Sequence, residues 1–350
     1  MSTATVERDY GLLGPEGSAA RSAGLAGAQW YKPPVERGRM KQLMKRRDGP
    51  AIRYSLLWLA LLGLFGGLGA WAFLAGNLVW IPLLLAYGVL YGSSSDSRWH
   101  EAGHGTAFRT RWMNDWLYQL ACFMIMRSPT VWRWSHTRHH TDTIIVGLDP
   151  EIIAMRPPAL RRIGLNLFGL VDVPRAMWHM LVHASGRLLP EERTFVPEME
   201  WPRVYRQARV WVVVYAALVT TTVATSSVLP LLLIGGPRVY GTWLHVVFGV
   251  TQHAGLAEDT PDHRLNSRTI YMNPVFRFLY WNMNYHVEHH MFPMVPFHSL
   301  AALHDEVKQY CPPPYPSIVA AYREIIPTLV RQRRDPSYFV QRPLPVTAGD

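Results

Sequence analysis

Cysteine is scarce in this chain. Only Cys122 and Cys311 occur in 350 residues, with no Cys-x-x-Cys pair. That argues against a disulfide framework and excludes an internal iron–sulfur cluster or cysteine-bound zinc. Charge is scarce too, at 17% of residues, which is low for a soluble protein. Acidic residues are the rarer sign: 25 Asp and Glu face 35 Lys and Arg, a net charge of +10. The excess reads as an anchor to an anionic membrane leaflet. No nucleic-acid partner is expected, because the basic residues cluster beside apolar runs and no nucleic-acid-binding motif occurs. The first fifty residues lack an apolar core, so no cleavable signal peptide is expected. No repeat of solenoid length is present.

What the chain has in quantity is apolar and aromatic. It is 49% hydrophobic, with fourteen Trp and sixteen Tyr, a composition suited to a membrane–water interface. Residues 1–53 read as a mobile Gly/Ala/Ser-rich tail (1–28) followed by a short basic amphipathic helix on the membrane surface. That helix carries Met40, Leu43 and Met44 among Arg and Lys and is ended by Asp48, Gly49 and Pro50. Residues 54–75 are uncharged over 22 positions, enough to cross a hydrocarbon core of about 30 Å. Residues 78–92 return, and Ser93, Ser94 and Ser95 extend that helix toward His100. Residues 116–126 are too short to span, and 165–183 read as a second surface helix broken by Asp172 and Pro174. A third span fits 210–224. A fourth fits 231–250, interrupted by Gly235, Gly236 and Pro237, with the boundary between the two left open. The expected fold is therefore all-α: a four-span membrane bundle over residues 54–310 with a cytoplasmic helical cap, and a cytoplasmic C-terminal tail over 311–350. The basic residues before Tyr54 place the N-terminus in the cytoplasm. Pairs of crossings then leave every histidine-rich run on that same side.

Those runs hold eight of the fifteen histidines. His100 and His104 stand at i, i+4. His136, His139 and His140 stand at i, i+3, i+4, and His286, His289 and His290 repeat that spacing. Such positions share a helix face. A pair at i, i+4 reaches one ion; a trio fans its rings so that one helix serves two. His253, at the end of the last span, supplies a ninth ring. Neutral imidazoles suit iron, zinc, copper or nickel rather than magnesium or calcium. Iron fits oxygen chemistry and zinc fits hydrolysis. Glu101, Asp142, Asp149, Glu258, Asp259 and Glu288 lie close enough in sequence to accept the outer N–H of a ligating ring, or else are solvated charges of the cap.

The order and spacing of these three runs, with the flanking spans, resemble the histidine boxes of the integral-membrane fatty acid desaturase and hydroxylase superfamily over roughly residues 50–310. The resemblance implies a pair of iron ions held by His100, His104, His136, His139, His140, His253, His286, His289 and His290. It implies O2 as co-substrate, two electrons from a separate donor such as a ferredoxin with its reductase, and oxidation of an unactivated C–H bond by desaturation or hydroxylation. A lipid or fatty-acyl substrate is implied first. The wording around the second and third boxes is similar to that of bacterial members, including one implicated in catabolism of a methylated inosamine, so an oxygenase or demethylase of a small polar molecule is the alternative. Three residues separate the histidines of the first box, where acyl-CoA Δ9 desaturases have four; this weighs against a stearoyl-type substrate. A membrane zinc hydrolase, or zinc as a substituted metal, is the competing metal chemistry.

The remaining histidines read differently. His179 and His183 repeat the i, i+4 spacing but have no third partner, so packing or surface roles are expected. His245, inside an apolar stretch, is expected to face the bundle interior. His263, His298 and His304 stand alone. Trp132, Trp134, Tyr280 and Trp281, beside the boxes, read as interface or core aromatics.

Overall fold

The computed structural model describes residues 8–345. Among them there is no strand beyond two isolated bridges, Thr269 with Tyr285 and Ile270 with Tyr315, so the all-α expectation holds. The chain opens with α1 (Glu16–Ser22) and α2 (Arg37–Leu43) and then enters α3 (Asp48–Leu74). Asp48, Gly49 and Pro50 do not end a surface helix. They begin α3, where Pro50 needs no N–H bond, and the Asp48 carboxylate accepts from the Thr110 backbone N–H and hydroxyl, both at 2.9 Å. α4 (Trp80–Gly88) continues through a π-helical turn, Val89–Ser93, into α5 (Ser94–Gly103). The serines thus carry the second apolar helix on to His100, as its sequence suggests.

The cap follows: α6 (Arg111–Met124), α7 (Pro129–Thr141), α8 (Leu160–Asn166) and α9 (Asp172–Ala184). Asp172 and Pro174 lie in the first turn of α9 and start it rather than break it. α10 (Trp201–Ala224) is the next long helix. The chain turns at residues 225–228, which sets the boundary left open above. The expected fourth span is then three pieces, α11 (Leu229–Leu233), α12 (Pro237–Tyr240) and α13 (Trp243–His253), cut where the Gly-Gly-Pro run and Gly241 interrupt it. α14 (His263–Asn266), α15 (Pro274–Tyr280), α16 (His286–Met291), α17 (Leu300–Val307) and α18 (Ile318–Gln332) complete the cap.

Two helical stretches are long and apolar enough to cross a membrane, Arg37–Leu74 and Glu198–Ala224. Four such helices are not found among the described residues. α4 through α5 gives up its apolar character to Asp96, Arg98 and the serines, and 229–253 is segmented. The long helices leave large apolar side chains outward: Leu56, Leu64, Trp71 and Leu74 on α3, Val213 and Val223 on α10. So much exposed apolar surface on one molecule marks a lipid or partner contact.

Within residues 8–28, expected to be a mobile tail, the stretch from Arg8 to Ala20 is fastened to the body, while most of 21–28 is exposed. Arg8 pairs with Glu258 and Asp259, Tyr10 donates to Glu258, and Ala20 is buried with Ile145 and Leu148. The tail reading took composition at face value, whereas two charged contacts and a small apolar seat fasten the segment. The first seven residues of that expected tail lie outside the described residues. At the other end α18 is part of a core rather than a loose extension. Its Ala321, Ile325 and Leu329 are buried with Val250, Ala254 and Ile270, and Val340 N–H donates to the Gly255 carbonyl.

Candidate metal centre

Four helices deliver nine imidazoles to one place. α5 carries His100 and ends at His104, α7 carries the second run, α13 ends at His253, and α16 carries the third run. The turn into α16 is tight: Trp281 and Asn282 both take positive φ, 47° and 56°. Asn282 secures it by accepting from Arg277 and donating to the Phe297 carbonyl.

The rings fall into two groups. His100, His104, His136, His140 and His289 each offer a nitrogen, all within 4.8 Å of one another; His139, His253 and His290 form a second such set. His286 joins the second, its Nε2 standing 3.0 Å from the Nε2 of both His253 and His290. α7 therefore gives His136 and His140 to one group and His139 to the other. α16 gives His289 to the first and His286 and His290 to the second. This is the fan that the i, i+3, i+4 spacing predicts. The groups adjoin, with His140 and His290 ring centroids 4.5 Å apart.

The outer nitrogens fix what the inner ones are. His253 Nδ1 lies 2.7 Å from the Asn266 carbonyl oxygen, which only accepts. Nδ1 therefore carries the hydrogen and Nε2 of the neutral ring carries the lone pair. His139 Nδ1 donates to Asp149 at 2.8 Å and His136 Nδ1 to Glu151 at 3.1 Å. Thr143, whose hydroxyl donates to the His139 carbonyl, accepts from His290 Nδ1. At least three of these Nε2 lone pairs, on His136, His253 and His290, thus point inward at contacts of about 3 Å with other Nε2 atoms. One ring hydrogen satisfies only one of two facing lone pairs, so a metal cation is the group this donor set fits.

Protons are poor substitutes. Burial, then the charge of neighbouring rings, holds His100, His136, His140, His286, His289 and His290 well below the usual imidazole range, and His104 falls to about 4. His139 is the exception. Burial pulls it down, but the charge and hydrogen bond of Asp149 outweigh that and raise it. Burial also pushes Glu151 up to about 7.

Of the six carboxylates proposed to back the rings, Asp149 alone does so directly. Asp142 pairs with Arg138, and Glu258 and Asp259 hold Arg8. Glu101 accepts from Thr106 and from Phe297 N–H, and Glu288 bonds His304 and Thr269. Glu151 was missed; its position two residues past Asp149, outside any box, gave no signal. His263 was read as isolated, yet it is buried, stacked on Trp30 at 4.2 Å and 5.1 Å from the His290 ring. His183 bonds Glu192 at 2.7 Å, far from the centre in role, as a packing histidine.

These residues agree with a family-level match. The fatty acid desaturase family model covers residues 78–322, and the chain belongs to that family. It is thus a desaturase- or hydroxylase-like oxidoreductase with histidine groups able to bind metal. No curated protein matches the sequence.

Proposed function

We propose that the protein is an O2-dependent membrane oxidoreductase that uses two iron ions to desaturate or hydroxylate an unactivated C–H bond. The observation that carries this reading is the inward convergence of imidazole lone pairs in two adjoining groups. His100, His104, His136, His140 and His289 would hold one ion and His139, His253, His286 and His290 the other. A redox-active metal pair supplies two-electron reduction of dioxygen and the oxidising power to break a C–H bond. The chain does the rest. Asp149, Glu151, Asn266 and Thr143 hold ring orientation and tautomer. The buried rings keep protons from competing with metal at neutral pH. Trp99, packed 5.6 Å from His100 and 5.2 Å from His136, shields the first group from water.

The exposed apolar faces of α3 and α10 support embedding in a bilayer, with α4 and the 229–253 pieces as shorter crossings and the histidine groups on the cytoplasmic side with the N-terminus. Electrons would come from a separate donor such as a ferredoxin with its reductase. On this placement the site lies beside the bilayer, so a lipid or acyl substrate can reach it, as can a smaller molecule from the cytoplasm. The test is metal analysis of the purified protein followed by O2 uptake and product mass with a reductase present. About two irons per chain and O2-dependent gain of one oxygen, or loss of two hydrogens, is the expected result. Bound zinc with turnover that ignores O2 would replace this reading with a hydrolase.

A further inference from the structure

One helical turn away from the imidazole layer, toward the apolar ends of the helices, lies a charged group that the metal centre does not use. Asp96 precedes His100 by one turn of α5, Trp132 precedes His136 by one turn of α7, and His245 precedes His253 by two turns of α13. Arg127 lies in the link between α6 and α7. These residues meet. Asp96 Oδ2 is 3.0 Å from His245 Nδ1. Asp96 Oδ1 accepts from Trp99 Nε1 at 2.8 Å and from Arg127 Nη1 at 3.3 Å. The Arg127 guanidinium stacks 3.9 Å from the Trp132 ring centroid and lies 5.3 Å from that of Trp99. Trp99 in turn touches His100 and His136, so a single indole separates this guanidinium from the rings of the first group.

Both Asp96 oxygens are engaged. Arg127 is not: among the described residues only its Nη1 meets an acceptor, out of five N–H donors. A guanidinium lying over an indole keeps its donor edge clear of the ring, and that edge can take a carboxylate or phosphate through two parallel bonds. The group is neither sealed nor free, with 17% of the Arg127 side chain and 13% of Asp96 and of His245 accessible. Arg238, buried and within electrostatic reach, adds a second positive charge beside Asp96, while Glu151 lies within reach of Arg127 and Asp172 within reach of Arg238. An alkyl chain laid here would dry these groups without replacing their hydrogen bonds, which is unfavourable.

We propose that this is the head-group subsite for the substrate of the centre, that Arg127 binds an anionic group there, carboxylate or phosphate, and that the oxidised C–H bond lies only a few bonds from that group. Asp96 and His245 are positioning residues that hold the guanidinium. The inference rests on the oxidoreductase reading above. A fatty acid and a small water-soluble acid share the chemistry, and the probes separate them.

The test is calorimetric binding to the full chain in phosphatidylcholine nanodiscs, with octanoate, gluconate, octylamine and octanol as probes, for wild type, Arg127→Gln and Arg127→Lys. At least one acid should bind about tenfold or more tightly than octylamine and octanol, Arg127→Gln should lose about tenfold or more, and Arg127→Lys should keep part of it. Octanoate alone points to a fatty acid; gluconate points to a small acid. Equal binding of octanol and octanoate, no binding of either acid, or undiminished binding to Arg127→Gln overturns the proposal. Should Arg127→Gln fail to fold, the charge series on wild type decides. Metal content and O2 uptake of the same sample report on the redox centre separately. Acid-selective binding without redox metal would sink the oxidoreductase reading and leave the anion subsite standing.

Discussion

At the scale of single residues, the imidazole cluster depends on groups that stand behind the rings. Asp149 and Glu151 each hold one ring through Nδ1. Asp149→Asn keeps the size but weakens the hold on His139, and a loss of about 10–100-fold in metal affinity is expected, read by chelator competition. Acid sensitivity follows from burial. His104 is pushed down to about 4 in the fold, against about 6.5 in an unfolded chain. Between those values the unfolded chain takes up a proton that the folded chain refuses, so folding weakens as pH falls. Metal-free protein should therefore show a falling melting temperature from about pH 6.5 toward pH 4, with the loss reversed above that window. A flat profile after chelation would contradict the burial argument.

Among elements, one crossing sets the geometry. α4 and its π turn pass α12 so closely that a Cβ on Gly241 would stand 2.0 Å from the Gly88 carbonyl. Ser93 Oγ donates to the Gly241 carbonyl at 2.6 Å and accepts from His245 N–H at 2.9 Å, linking the first-box helix to α13. Gly241→Ala should cost about 1–3 kcal/mol or more, seen as a lower melting temperature. The N-terminal segment is the second such element. Trp30 covers His263 and donates to the Thr141 carbonyl at 2.9 Å, so Trp30→Ala should speed metal extraction by chelator while leaving helix content unchanged. The helices that carry histidines were legible because i, i+3, i+4 spacing is periodic and local. The glycine crossing, the seat of residues 8–20 and Glu151 were not, since each depends on a contact between distant positions that no local pattern encodes. The broken fourth crossing sits between: Gly235, Gly236 and Pro237 mark the interruption, but only the packing shows three separate pieces.

For the molecule as a whole, apolar outer faces on α3 and α10 predict that the protein stays with the membrane through an alkaline carbonate wash and needs detergent to leave it; release by the wash would remove the case for spanning helices. A larger consequence comes from α7 and α16, each of which feeds both imidazole groups. On the proposed two-ion reading, seating the first ion would stiffen two helices that the second ion also needs, so half of the second seat would be prepared in advance. Filling should therefore be all-or-nothing, with a steep titration curve and few singly occupied chains at any point along it.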